Sequence, residues 1–180
     1  MKYIFFLFLL APNVKICVAQ FQVADEGSII QFKIKNLGLG VTGAFRGIRG
    51  DVEFNPQNLS ESSFDVTIDA NTINTGIDMR DDHLRADSYF DVQQYPRIRM
   101  VSNKITRSNK KDVLFFFGNL TIKNQTKPVS FPFTAEPING GYLFKGSFKI
   151  NRKDFDVGGS STISNELEVL LQVQTKPLKR

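Results

Sequence analysis

Cysteine and histidine are nearly absent from this sequence, which has one of each, Cys17 and His83, and no tryptophan. A zinc site built from thiolates and imidazoles needs several such ligands meeting at one point, so the composition excludes one. A single cysteine also excludes an intramolecular disulfide. The fold must therefore depend on its hydrophobic core.

A strong excess of one charge is also missing. The formal charge is +5 at pH 7, and basic residues are interspersed with acidic ones throughout the chain. No arginine-rich helix or strand with interleaved basic and aromatic residues occurs. Nucleic acid is therefore not an expected partner.

The first 19 residues have the features of a secretory signal peptide. An apolar run follows Lys2 and ends near residue 11, well short of the roughly 20 residues that span a bilayer. Small residues at Cys17 and Ala19 suit cleavage before Gln20. A lipoprotein signal using Cys17 is the alternative, but the bulky Lys15-Ile16 pair before it fits that poorly.

We therefore predict a signal peptide at 1–19 and a single domain at 20–180, periplasmic or secreted and without stable membrane insertion. Removal of residues 1–19 lowers the formal charge to +3 and leaves no cysteine.

The main pattern in the remaining chain is an alternation of apolar and polar residues with period two. In "SIIQFKIKN" the residues Ile30, Phe32 and Ile34 alternate with polar ones, and "NELEVLLQVQTK" repeats the pattern. Turn-forming clusters separate such runs, including the hairpin signal Asn139-Gly140. The pattern predicts an all-β domain of about eight antiparallel strands, closed into a barrel.

Phenylalanine is abundant, with 17 in the chain. Most lie at strand positions that face inward by parity. Ordinary core packing explains them, but an eight-stranded barrel can also leave room for one small apolar ligand. The sequence does not distinguish a filled barrel from a hollow one.

One predicted strand is apolar on both faces, at Leu114 to Phe117. Such a strand needs cover on its outer side as well as its inner side. This leaves open an interaction module, or a homodimer, in which a partner covers the strand.

The only histidine lies in "DMRDDHLRADSYFDVQQYPRI", which predicts a short helical insertion starting near Thr75 or Gly76. Acidic residues in its first turns complement the helix dipole. We expect Ile77 and Leu84 to anchor this helix inward.

The insertion allows three chemical interpretations. A metal site is disfavoured, because Asp81 and His83 are two residues apart and do not face each other on a helix. A catalytic triad is disfavoured, because "GGSST" is a glycine-serine turn and no nucleophile elbow occurs. Otherwise Arg80, Asp81, His83 and Arg85 form a structural cluster or hold a polar head group at a cavity mouth.

Four stretches together resemble the YceI-like family, in order and over almost all of residues 22–175. They are "FKIKNLGLGVTGAFRGIRGDVEF", "RDDHLRADSYFDVQQYPRIRMVS", "GNLTIKNQTKPVSFPF" and "FKINRKDFDVG". In the last, Arg152, Asp154 and Phe155 match an Arg-x-Asp-Phe motif. Asp156 stands where glycine is commoner, which puts the local turn geometry in doubt.

The resemblance implies an extended lipocalin-like barrel, exported by bacteria, whose hydrophobic cavity holds a long-chain isoprenoid or related fatty lipid. We expect a binding protein without enzymatic activity, cofactor or metal. The alternative is an enzyme that acts on an isoprenoid or quinone-type lipid with His83 and Asp81 or Asp82.

Strand parity then predicts the residues that line the cavity, with two more, Met79 and Phe90, near its mouth. The strand residues are Phe32, Ile34, Phe45, Phe64, Val66, Met100, Phe115, Phe131, Phe144, Phe148, Val169 and Leu171.

Overall fold

The protein is described by a computed structural model that covers residues 20–159 and 162–178. The predicted signal peptide lies outside these residues. In the described part of the chain, no helix has both the length and the apolar character needed to cross a membrane.

Eight antiparallel strands form one closed barrel, in which each strand pairs with its neighbours in sequence and the last pairs with the first. This confirms the predicted fold. The strands are β1 (Gln20–Asn36), β2 (Leu39–Glu53), β3 (Ser63–Asn74), β4 (Arg97–Arg107), β5 (Leu114–Ile122), β6 (Gln125–Ile138), β7 (Gly141–Asn151) and β8 (Glu166–Pro177).

The helical insertion is α1 (Asp78–Arg85), between β3 and β4, and two 3-10 turns lie at Leu59–Glu61 and Arg152–Phe155. Leu84 packs against the core as predicted. Ile77 does not, because it precedes the helix and 53% of it is exposed.

Because neighbouring strands run in opposite directions, successive connections lie at alternate ends of the barrel. The upper end, as we call it, carries the β1–β2 turn, the α1 segment, the β5–β6 turn and the β7–β8 connection. The lower end carries the other connections, including the two-residue hairpin at Asn139-Gly140 between β6 and β7.

Pro128 and Pro132 lie where β6 has a strand partner on one side only, so they occupy a local edge, as expected for proline in a sheet. Pro128 and Pro132 pair regularly with β5, while the ladder to β7 begins only at Phe133. Neither proline therefore has to donate to β7. Above the point where that ladder stops, the rings of Phe131 and Phe148 stack with their centres 4.6 Å apart.

Aromatic rings fill the lower half of the barrel. We call this set the aromatic plug, and its rings meet mostly edge to face at centre distances such as 4.8 Å for Phe54 and Tyr142. Its members are Phe54, Phe64, Phe116, Phe133, Tyr142 and Phe144.

The packing of the plug predicts a large loss of stability at one phenylalanine of β5 and a small loss at its neighbour. Phe116 is 3% exposed and contacts Phe64 and Phe131, whereas Phe117 is 41% exposed. Phe116→Ala should lower the free energy of unfolding by about 3–5 kcal/mol, because it leaves a cavity in packed rings. Phe117→Ala should change it by less than about 1 kcal/mol. Urea unfolding measures both, and equal losses would contradict this account of the plug.

Candidate ligand cavity

A cavity of about 190 Å³ occupies the upper half of the barrel, above the aromatic plug, and is partly open to solvent. Its wall is almost wholly apolar. The wall comes from seven strands, every strand except β6, together with α1, the segments on either side of it and the β7–β8 connection.

Nine of the fourteen residues predicted to line a cavity lie on this wall. They come from six strands and from the segment after α1. They are Phe32, Ile34, Phe45, Val66, Phe90, Met100, Phe148, Val169 and Leu171.

Three predicted residues face the barrel interior but lie outside the cavity. Phe64 and Phe144 belong to the aromatic plug, and Phe131 stacks between Phe116 and Phe148. Strand parity gives the face of a side chain but not its height in the barrel, so parity could not separate these rings from the cavity wall.

The predictions for Phe115 and Met79 are wrong for a different reason, because neither side chain faces the interior. Phe115 points outward and stacks on Phe117, while Leu114 and Phe116 point in. A strand that is apolar on both faces carries no alternation to fix its orientation. Met79 lies on the outer side of α1, with 83% of the residue exposed.

The prediction missed much of the aliphatic wall because it favoured phenylalanine. Ile30, Leu167 and Val173 show the same alternation as residues that were chosen. Other missed residues come from loops, such as Tyr89, Val157 and Ile163, where no periodic signal exists.

Thr75 organises the polar groups beside the upper end of the cavity. Its backbone N–H donates to the Asp81 carboxylate at 2.9 and 3.1 Å, and its hydroxyl donates to the same group. Arg80 donates from Nε to the Thr75 hydroxyl at 2.7 Å and from Nη2 to the Thr75 carbonyl at 2.8 Å. Thr75 and Arg80 both border the cavity, whereas Asp81 is 2% exposed.

The two remaining residues of the predicted polar cluster do not border the cavity. Arg85 donates to the carbonyl oxygens of Asn71 and Ile73 and pairs with Asp82 at 2.8 Å, which ties α1 to the end of β3. His83 is exposed, and its ring meets that of Tyr89 edge to face, with the centres 5.0 Å apart.

This arrangement gives little support to a catalytic or metal-binding role for His83. The Asp81 carboxylate is engaged by Thr75, and Asp82 pairs with Arg85 on the surface. Among the described residues, no group of three or more histidine, cysteine, aspartate or glutamate side chains is placed to hold a metal ion.

Arg152 holds the β7–β8 connection over the upper end of the barrel. It is buried, and its guanidinium donates to the carbonyl oxygens of Val157 at 2.7 Å, Ser164 at 3.0 Å and Ile163 at 3.1 Å. Val157 and Ile163 line the cavity. Asp156 adopts a left-handed conformation with φ 54°, so the aspartate takes the backbone geometry that glycine favours.

Arg99 is adjacent in sequence to the cavity residue Met100, but its charge lies on the outer face of the barrel. There it donates to Asp65 at 2.8 Å from Nε. This hydrogen bond lowers the pKa of the Asp65 carboxyl below its ordinary value. The guanidinium is thus committed to an exposed ion pair outside the cavity.

The sequence profile of the YceI-like domain matches residues 21–175. The chain belongs to the YceI-like domain family. It is 32% identical to a UPF0312 protein of Photorhabdus laumondii over 178 residues, which covers 92% of this chain and 86% of that one.

Two solved structures show the same fold. BcnA of Burkholderia cenocepacia is 25% identical with a TM-score of 0.79, covering 84% of this chain and 98% of BcnA. A polyisoprenoid binding domain from Saccharophagus degradans is 13% identical with a TM-score of 0.71, covering 90% of this chain and all of that domain.

The contacts of Asp81 predict that its charge stabilises the docking of α1. Asp81→Asn replaces one acceptor oxygen with a donor that faces the Thr75 N–H and hydroxyl, so we expect a loss of about 1–3 kcal/mol in unfolding free energy. Asp82→Asn is the matched control, because Asp82 is exposed and makes only a surface ion pair with Arg85. Urea unfolding of both variants checks this, and equal stabilities would refute it.

Proposed function

We propose that this protein binds a long-chain isoprenoid or related fatty lipid in the cavity, without chemical conversion of that lipid. One observation supports this above all: the cavity is apolar, blocked below by the aromatic plug and partly open to solvent. An apolar chain fits such a space with its tail toward the plug and its head group at the upper end.

Water is a poor occupant of this cavity. About 10–15 Å³ is enough to hold one water molecule, but each buried water also needs two to four polar partners. The cavity of about 190 Å³ has ample room, yet its wall offers few polar groups. Burial of an apolar ligand there is favourable, at about 25 cal/mol per Å² before ordering costs.

Membership of the YceI-like family agrees with this proposal, as does the shared fold of the Saccharophagus degradans protein described as a polyisoprenoid binding domain. At 13% identity that second likeness concerns the fold alone, so the proposed ligand of the present protein is argued from its own cavity.

Binding rather than catalysis is the role that the polar groups support. His83 lies outside the cavity wall, and the Asp81 carboxylate is committed to Thr75. We therefore expect His83→Ala to fold and to retain its ligand, as checked by solvent extraction and mass spectrometry. Loss of ligand from a folded His83→Ala variant would instead place His83 at the ligand and contradict this arrangement.

Export completes the proposal, with the protein periplasmic or secreted after removal of residues 1–19.

A homodimer through the outer face of β5 stays a prediction, since Phe117 is exposed there. Sedimentation velocity at high protein concentration would test it, and a monomer throughout would exclude it.

Two substitutions in β8 test the cavity directly. Val169 lines the cavity, whereas the neighbouring Leu170 is off its wall and borders a shallow groove on the outer face. Protein purified from cells and extracted with organic solvent should yield close to one long-chain lipid per chain. Val169→Phe should reduce that yield at least about tenfold, because the ring occupies the space of the ligand. Leu170→Phe should leave it unchanged.

Circular dichroism and a thermal melt should show both variants folded, which separates lost binding from lost structure. Equal lipid yields from Val169→Phe and the parent protein would contradict this site. So would parent protein that, refolded without lipid, fails to take up solanesol, a C45 polyprenol.

A further inference from the structure

Most of the exposed large apolar side chains lie at the upper end of the barrel. Seven are exposed in the described residues, and four of them, which we call the apolar rim, are Leu37, Leu39, Ile77 and Met79. Their exposures run from 53% to 83%. The other three lie on the barrel wall or near the C-terminal end of β8, well away from one another in sequence.

The backbone conformation at Leu37 indicates that this leucine does not contribute to the stability of the fold. Leu37 and Gly38 form a two-residue hairpin loop between the paired residues Asn36 and Leu39, with φ of 51° and 80°. Asparagine followed by glycine is the preferred sequence for such a turn, and leucine is disfavoured at positive φ. Solvent exposure disfavours it too, since 75% of Leu37 is exposed.

The side chains of both turn leucines reach solvent, with 75% of Leu37 and 73% of Leu39 exposed. The backbone of the turn is held by the β7–β8 connection, because the Leu37 N–H donates to the Thr162 carbonyl oxygen at 3.3 Å.

The apolar rim lies at the upper end of the barrel, next to the half that holds the cavity. Each rim residue lies within two positions of a residue that lines the cavity: Leu37 beside Asn36, Leu39 near Val41, Ile77 near Thr75, and Met79 beside Arg80. An apolar surface on a soluble chain usually marks a contact with a partner. Here that surface is adjacent in sequence to the wall of an apolar cavity.

We propose that the apolar rim docks on the surface of a lipid bilayer, which lets an apolar chain pass between bilayer and cavity without crossing water. This rests on the proposed function, because a bilayer is where a long-chain isoprenoid resides. The exposed charges beside the rim have both signs, with Lys33 and Lys35 on β1 and Asp78 and Asp82 on α1. Docking through apolar contact should therefore not require anionic lipid.

Flotation with neutral phosphatidylcholine vesicles tests the docking. The double variant Leu37→Asn/Leu39→Thr converts the turn to asparagine-glycine and should melt no lower than the parent protein. Its bound fraction should fall at least about tenfold, because the strength of binding to a bilayer grows with the apolar area that is buried in it. The matched control, Ile29→Asn/Phe117→Thr, removes two exposed apolar residues from the barrel wall and should float like the parent protein.

Transfer of solanesol from donor vesicles to the protein separates this proposal from the proposed function. The rim variant should take up the same final amount of solanesol as the parent but more slowly, by about the factor lost in flotation. Equal flotation and equal transfer rates in the rim variant would overturn the docking while leaving lipid binding intact. Parent protein that floats but takes up no solanesol would instead overturn the proposed function.

Discussion

Pairing of β8 with β1, from Phe21–Pro177 to Lys33–Glu168, closes the sheet and thereby sets the volume that side chains must fill. Eight strands enclose an interior that side chains can just fill or leave partly empty. In this chain the lower half is filled by rings such as Phe54, Phe116 and Phe144. The upper half is walled by smaller aliphatic residues such as Ile34, Val66 and Val169, which leave a space.

The division between a filled and an open half also explains how the barrel remains stable with a cavity in it. The plug provides close-packed burial without any disulfide, and Arg152 and Asp81 fix the segments around the open half through hydrogen bonds to buried backbone groups. Each of these charged groups is buried with partners, as a buried charge requires. Stability and ligand space are therefore provided by different parts of the same interior.

The sequence predicts the fold well and the site in part, for physical reasons that differ between residues. Period-two alternation identifies inward positions such as Phe32 and Leu171, because one buried face and one solvated face leave that signature. It fails at Phe115, where both faces are apolar, and it cannot distinguish Phe148 on the cavity wall from Phe144 in the plug. The family resemblance supplies the architecture but gives no position for a single side chain.

The polar residues in and around α1 show that the sequence also predicts polar groups at the site only in part. His83 is the most reactive residue type in the segment, yet it is exposed against Tyr89, while Thr75 connects Arg80 and Asp81. A threonine at the end of a strand carries no signal of that role in the sequence. By contrast, Leu37 at a turn that favours asparagine is visible in the sequence as a conflict between residue and position. Such local conflicts concentrate where function opposes stability, so the conflict at Leu37 carries more functional information than the lone histidine does.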